Sequence, residues 1–349
     1  MGFDTKLNNH TGNNMRYFLI LIASLSYLPS AFAFDQAKLL DSFFSVVMIR
    51  GYNIDGGMSY GSGVIVAPNK ILTDCHIFRQ SKQPWVSRGE DTYVITSVQA
   101  DRYYDTCLVT ADVPYKPAVI GSASTMKKGQ QVVAIGYSGG MPAPLTAFGE
   151  LKSLYAFNGA NIVRTNARFA LGASGSGLFD DNGHLIGINT FKTPGQNAFF
   201  YALPVEWLAG LEKQPVETAF PITGKTFWEE EEAQKPYFMQ IAVPEIQEDW
   251  PKLGQISELW TKNEPNNTEA WYELGLANER MGRTNEAEKA YRQSVAVNAG
   301  NTDALFRIGV IASEKGDKKE VHAINLALLD IDKDLAAEFS KTVGCNTEC

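Results

Sequence analysis

The chain has 349 residues, of which 44% are hydrophobic and 11% aromatic. That is enough apolar mass for a sizeable core in two or three domains, and it excludes a disordered chain. The formal net charge is −8, and the longest basic runs are the pairs Lys127-Lys128 and Lys318-Lys319, which argues against nucleic acid or an anionic membrane as principal partner, because both reward clustered Lys and Arg.

From Met15 the segment MRYFLILIASLSYLPSAFA carries Arg16, an apolar run and the small-residue ending Ala31-Phe32-Ala33, the pattern of an export signal cut before Phe34. A membrane anchor is the competing reading. The apolar core is short for a bilayer span, and Pro29 suits cleavage better. Residues 1–33 are therefore expected to be a signal peptide, with Met15 as an alternative start, and no stable membrane insertion is expected after cleavage. The mature chain would keep His76, His184 and His322. An exported chain meets an oxidising compartment, bacterial periplasm or exterior. The terminal Cys345-x3-Cys349 is too sparse for zinc and is expected to form a small disulfide.

Next come short runs rich in β-branched and aromatic residues, bounded by Gly, Pro, Asn or Asp: 42–49, 62–67, 70–75, 92–100, 106–111, 130–137, 161–166, 184–191 and 198–204. Many short strands separated by turn signals predict an all-β barrel or sandwich. Asp181-Asn182-Gly183 is the clearest hairpin turn, since Asn-Gly tolerates positive φ. Past Pro204 the pattern changes. Residues 205–213 read as a short helix, and 214–235, with its prolines and the acidic run Glu229 to Glu232, as a solvated linker.

From Pro236 to the C-terminus the pattern is helical and repeats. An offset of 34 aligns Ala270 with Ala304, Gly275 with Gly309 and Gly282 with Gly316, the period of the tetratricopeptide repeat. Residues 268–301 resemble that motif through Trp271, Leu274, Gly275, Ala287 and Tyr291, although Asn278 replaces its usual tyrosine. Weaker units are expected around 236–267, ending at Pro265, and over 302–335. Such stacks bind proteins on a concave face; a structural cap on the first domain is the other reading.

The segment GASGSG, residues 172–177, carries the sharpest chemistry. A serine hydroxyl needs a base to take its proton, and the oxyanion it creates needs donors already in place. A Gly-rich turn at Ser174 can aim the N–H groups of Gly172 and Ser174 at one point. The residues alone leave the base open between His76, which ends an apolar strand, His184 beside the hairpin turn, and His322 in the helices.

GSGVIV, ILTDCHIF, DTCLV, GASGSGLF and GHLIGINT, in that order between Phe43 and Trp207, together resemble the trypsin-like serine peptidases, specifically their bacterial Deg-type branch. AIGY (134–137) and FYALP (200–204) also fit. The resemblance implies two six-stranded β-barrels, near 42–118 and 119–203, with the site in the cleft between them. Carried over, His76 is the general base, Asp105 its orienting carboxylate and Ser174 the nucleophile. Asp74, Asp101, Asp180 and Asp181 compete for the acidic role, but only Asp105 heads an apolar strand.

Ser176 departs from the family pattern, which has a second glycine there. The nucleophile elbow G-x-S-x-G of α/β-hydrolases fits neither serine. With those roles assigned, Asp105 and Cys107 are expected on one face of one strand and Cys75 precedes His76, so a Cys75–Cys107 disulfide is expected to brace base against carboxylate; two buried thiols are the alternative. Arg168, six residues before Ser174, falls where relatives line the primary specificity pocket, which would favour an acidic substrate side chain; a surface-paired arginine is the plainer reading.

The expected organisation is thus multidomain: signal peptide 1–33, trypsin-like domain 34–213 (an all-β double six-stranded barrel), linker 214–235, and an all-α tetratricopeptide-like domain 236–349. The expected function is an exported serine endopeptidase with no cofactor and no metal, acting on protein or peptide substrates, with a protein partner on the helical domain and no nucleic acid. A catalytically silent scaffold that binds through its repeats is the alternative, and an esterase of another fold is disfavoured by the absent elbow.

Overall fold

Runs of alternating and continuous apolar residues form two barrels in the computed structural model, which describes residues 36–170 and 172–345. The expected signal peptide and Cys349, hence the expected Cys345–Cys349 bridge, lie outside the described residues. Helix α1 (Gln36–Phe44) precedes β1 (Val46–Asn53), β2 (Met58–Ala67), β3 (Lys70–Asp74), β4 (Ser81–Arg88), β5 (Asp91–Asp101) and β6 (Thr106–Ala111). These six strands order as β5-β4-β1-β2-β3-β6 and close through β5–β6 pairing. The second set is β7 (Gln131–Gly136), β8 (Leu145–Phe157), β9 (Ala160–Thr165), β10 (Ser176–Asp180), β11 (Leu185–Lys192) and β12 (Phe200–Pro204), closed in the order β10-β11-β12-β9-β8-β7. The two six-stranded barrels expected from the family resemblance are both present.

Side-chain alternation explains why some strands read as unbroken apolar runs. Along β1, Val47 and Ile49 fill barrel one, while Val46 and Met48 face Val133, Ile135 and Phe179 of barrel two. A strand buried on both faces must be apolar at every position. Strands β4, β8 and β10 escape the sequence reading. Pro84 and flanking charges disguise β4, β8 is largely exposed in its first half and interrupted by Gly149, Glu150 and Lys152, and β10 is a five-residue run opening on Ser-Gly. The run expected as a strand from residue 42 begins at Val46, because 42–44 close α1. That helix seats on the β10–β11 turn, where Gly183 has φ +75° and the Ser42 hydroxyl donates to its carbonyl at 2.8 Å.

The short helix after Pro204 is present as a 3-10 turn and α2 (Leu208–Leu211). Residues 214–235, read as a solvated linker, are largely built onto barrel one. β13 (Val216–Glu217) pairs with β5, Ile222 joins the core of barrel one, the Phe227 N–H donates to Tyr103 O, and Glu229 pairs with Arg79 at 2.6 Å. This strap crosses barrel one before the chain turns helical.

The helices are α3 (Tyr237–Gln240), α4 (Ala242–Ile246), α5 (Trp250–Asn263), α6 (Thr268–Arg280), α7 (Thr284–Val297), α8 (Thr302–Glu314), α9 (Lys318–Ile331) and α10 (Lys333–Thr342). Pairs α6–α7 and α8–α9 are the helical hairpins of the 34-residue period. The Tyr291 ring lies against Gly275, where any Cβ would stand 2.5 Å from it, so the period demands glycine there. The unit around 236–267 is broken into α3, α4 and α5. Its first part serves instead as a dock: Tyr155 of β8 stacks on Phe238 at 5.0 Å, Trp260 packs beside both, and Arg164 of β9 pairs with Glu245 at 2.7 Å. Because Phe238 is fully enclosed between barrel two and the helices, Phe238→Ala should cost about 3–5 kcal/mol, measured as a lower thermal midpoint of the whole chain.

Candidate active site

Strand β3 ends at Asp74, and the chain continues as a 3-10 turn, Cys75–Phe78. His76 therefore stands two residues beyond the strand it was expected to end. Asp105 likewise precedes β6 rather than sharing its face with Cys107. It has φ +55°, the left-handed region that Asp tolerates better than most residues, and this turn swings its carboxylate toward His76. Its carbonyl accepts from the Cys75 N–H at 3.1 Å, and its Oδ1 accepts from the His76 backbone N–H at 2.7 Å. The sulfurs of Cys75 and Cys107 are bonded at 2.03 Å, with Asp105 off the strand face it was expected to share with Cys107.

The side chains form one line. His76 Nδ1 lies 2.5 Å from Asp105 Oδ2, and His76 Nε2 lies 2.9 Å from Ser174 Oγ. A hydroxyl facing an imidazole that faces a buried carboxylate can pass its proton to Nε2. Burial lowers the imidazole, but the Asp105 charge and hydrogen bond, with Asp74, outweigh it and push His76 up to about 9. Burial raises Asp105 above the ordinary carboxylate range, while the His76 charge and hydrogen bonds oppose it.

Ser174 is carried by a turn that bridges the barrels. Ser62 of β2 donates its N–H to Ser174 O at 2.7 Å and accepts the Tyr137 N–H on its Oγ at 2.8 Å. Gly175 has φ +81°, and a Cβ there would stand 2.1 Å from Ser62 O. Upstream, the Ala173 N–H closes a turn on Ala170 O at 3.0 Å, and Gly172 occupies its third position with φ +89°. Glycine adopts that sign without steric cost. Among the described residues, the N–H groups of Gly172 and Ser174 donate to no protein acceptor.

Ser176 resolves its departure from the family pattern through a partner. It is buried, accepts from Asn189 Nδ2 at 3.1 Å, and packs against Gly136, where a Cβ would stand 2.1 Å from the Ser176 Cβ. A glycine opposite makes room for the extra side chain. His184 pairs loosely with Asp180 at 3.4 Å, away from Ser174, and His322 sits on α9. Arg168 is exposed and lines a cavity of about 310 Å³ with Phe169, Ala173, Ser176 and Phe200; among the described residues it has no ion-pair partner.

Asp74 was weighed only as a rival for the acidic role. It is fully buried, with Oδ2 4.0 Å from His76 Nδ1 and without a hydrogen-bond partner. Burial and the neighbouring Asp105 hold its carboxyl well above the ordinary range. The Thr190 hydroxyl lies 2.9 Å from Asp74 Oδ1 and 3.0 Å from Ile188 O. One hydroxyl proton cannot serve two acceptors, and a protonated Asp74 satisfies both contacts. Asp74, His76 and Asp105 also cluster closely enough to resemble a metal triad, but His76 Nδ1 and Asp105 Oδ2 are already bonded to each other at 2.5 Å.

Residues 61–188 match the family model of the trypsin-like peptidase domain, and residues 268–301 match the tetratricopeptide repeat. Among curated proteins, the chain is 30% identical over 173 residues to the periplasmic serine endoprotease DegP of Escherichia coli strain K12, covering 46% of this chain and 36% of that protein. It is 25% identical over 181 residues to the anti-sigma-I factor RsgI9 of Acetivibrio thermocellus, covering 50% and 25% respectively. The chain thus spans only a quarter to two-fifths of the length of several curated relatives it matches. Among solved structures, the active form of the Rv3671c protease of Mycobacterium tuberculosis is 21% identical, covers 56% of this chain and 93% of that one, and superposes with a TM-score of 0.48. The chain therefore carries a trypsin-like peptidase domain followed by a tetratricopeptide repeat.

Because the fold raises the Asp74 pKa, the stability this group contributes is full below its unfolded value and is lost as pH rises through the folded one. Asp74→Asn removes that titration. Its thermal midpoint relative to wild type should rise as pH climbs above the ordinary carboxylate range; a difference that stays flat or shrinks with rising pH would mean that Asp74 is ionised in the fold.

Proposed function

We propose that the chain is an exported serine endopeptidase that cleaves peptide bonds through an acyl-enzyme. Ser174 Oγ attacks the scissile carbonyl, His76 Nε2 takes its proton and later gives it to the leaving amine, and Asp105 holds the imidazole in the productive tautomer. The N–H groups of Gly172 and Ser174 receive the oxyanion. The observation that carries this reading is the unbroken line from Asp105 Oδ2 through His76 to Ser174 Oγ, at 2.5 and 2.9 Å. No cofactor enters any step. The Cys75–Cys107 bridge ties the turn that bears the base to the strand that follows its carboxylate.

Substrate would bind as an extended strand. β10 pairs with β11 only as far as Ser176↔Asn189, so beyond Asn189 the edge of β11 nearest Ser174 has no strand partner among the described residues. A peptide added there places its backbone along Thr190–Lys192 and its scissile carbonyl at Ser174. An acidic side chain on the scissile residue would meet Arg168 at the mouth of its cavity.

The proposed organisation is a peptidase domain over 34–213, a connecting strap over 214–235 and a helical domain over 236–349, exported to the periplasm or beyond after removal of 1–33. Among the described residues, no helix is long and apolar enough to cross a membrane. The helical domain is proposed to take a protein partner. A cleft of about 1090 Å³ between barrel two and the helices, lined by Lys128, Leu154, Glu269, Asn301 and Asp303, offers room for one.

A fluorophosphonate probe should label wild type and Ser176→Ala but neither Ser174→Ala nor His76→Ala. Failure to label folded wild type would favour the silent-scaffold reading. The labelling rate should rise about tenfold per pH unit until it levels near 9, because the base must be neutral to act. In Asp105→Asn the acid limb should move down toward the ordinary histidine range, and the rate on peptide substrates should fall by about 10⁴.

A further inference from the structure

The strap over 214–235 brings Trp228 to the mouth of the site. Its indole lies perpendicular to the His76 imidazole, with centroids 6.2 Å apart and planes at 86°, and against Phe191 of β11 at 4.9 Å. Trp228 is half-buried. Its neighbours on the strap hold it there. Phe227 is fully buried among Tyr104, Phe157 and Phe191. Glu229 makes a bidentate pair with Arg79, three residues beyond His76, at 2.6 and 2.7 Å, and that pair keeps the Glu229 carboxyl down at about 2. The Glu229 carboxylate also accepts from the Thr226 N–H at 2.9 Å. A surface tryptophan anchored on both sides, beside the reacting imidazole, has been given a fixed position at some cost in chain freedom.

We propose that Trp228, with Phe191, forms a subsite that takes a large apolar or aromatic substrate side chain on the residue immediately before the scissile one. The inference rests on the peptidase reading above. Side chains along an extended peptide alternate in direction. With the scissile side chain directed into barrel two, toward the cavity at Arg168, the preceding one points to barrel one and lands in the angle between His76, Phe191 and Trp228. The angle is apolar on two walls, and an aromatic ring placed there meets one indole and one phenyl. A glycine leaves the indole wet, and an acidic side chain is desolvated without a partner. The strap thereby makes a segment outside both barrels part of substrate choice.

The test uses a pair of peptidyl diaryl phosphonates, which inactivate when the serine oxygen bonds to phosphorus and a phenoxide leaves, and which differ only at that residue, one carrying Phe and the other Gly, on the full chain. Wild type should react about tenfold faster with the Phe compound. In Trp228→Ala that ratio should fall to within about twofold, and in Trp228→Phe most of it should return. The conservative variant keeps the test usable if the alanine variant folds poorly. A wild-type ratio near one, or a ratio undiminished in folded Trp228→Ala while the fluorophosphonate still labels wild-type Ser174, would overturn the subsite and leave the peptidase reading standing. Wild type that reacts with neither phosphonate nor fluorophosphonate would overturn both.

Discussion

The contact between Ser62 and the Ser174 turn is the constraint on which the site depends. Barrel one supplies the imidazole and its carboxylate, and barrel two supplies the hydroxyl. A backbone hydrogen bond from Ser62 to Ser174 O at 2.7 Å sets the distance between them. Gly175 must lack a side chain for that approach, since the Ser62 carbonyl and the Thr73 hydroxyl occupy the space a Cβ would need. The apolar layer between the barrels, with Val46, Val64 and Leu72 on one side and Val133, Ile135 and Phe179 on the other, supplies the area that holds the two halves together. The hydrogen bond supplies the register.

On that frame the chain concentrates charge in a dry place. Two fully buried carboxylates flank one imidazole, an arrangement that cannot hold two negative charges cheaply. Asp105 has two His76 donors to offset its charge, whereas Asp74 has the Thr190 hydroxyl, a weaker interaction with the Gly175 N–H and an oxygen without a hydrogen-bond partner. Of the two, Asp74 is therefore the carboxyl held further above the ordinary carboxylate range. The same field that raises His76 makes its neutral form scarce below its pKa, so the basicity that favours proton capture from Ser174 also shifts the working range upward.

Beyond the barrels, the connecting segment and the helices form a continuous packing surface. Ile222 belongs to the core of barrel one, and Phe227 and Phe238 belong to a cluster shared by barrel two and the first helices. A segment whose composition reads as spacer is held by a few large side chains placed among many polar ones. The broken unit at 236–267 follows from the same packing: its apolar residues are spent on Tyr155, Phe157 and Tyr201 rather than on a regular partner helix.

Much of this was legible in the amino-acid sequence, because it rests on interactions within a turn or two of the chain. Strand alternation, the Asn182-Gly183 hairpin with its positive φ, and the 34-residue spacing of Gly275 and Gly309 are local demands. GASGSG and LTDCH likewise carry a chemistry that residue types alone suggest, and the family resemblance paired them. The tertiary structure decided what depends on through-space distance. It set His76 against Ser174 across 98 residues, moved His76 and Asp105 off their expected strands, and matched Ser176 to Gly136. It also made Asp74 a second carboxylate beside the base and brought Trp228 from the strap to the imidazole. Barrel closure and the docking of the strap set these proximities, and no short-range pattern encodes the order in which strands close or the wall on which a distant aromatic lands.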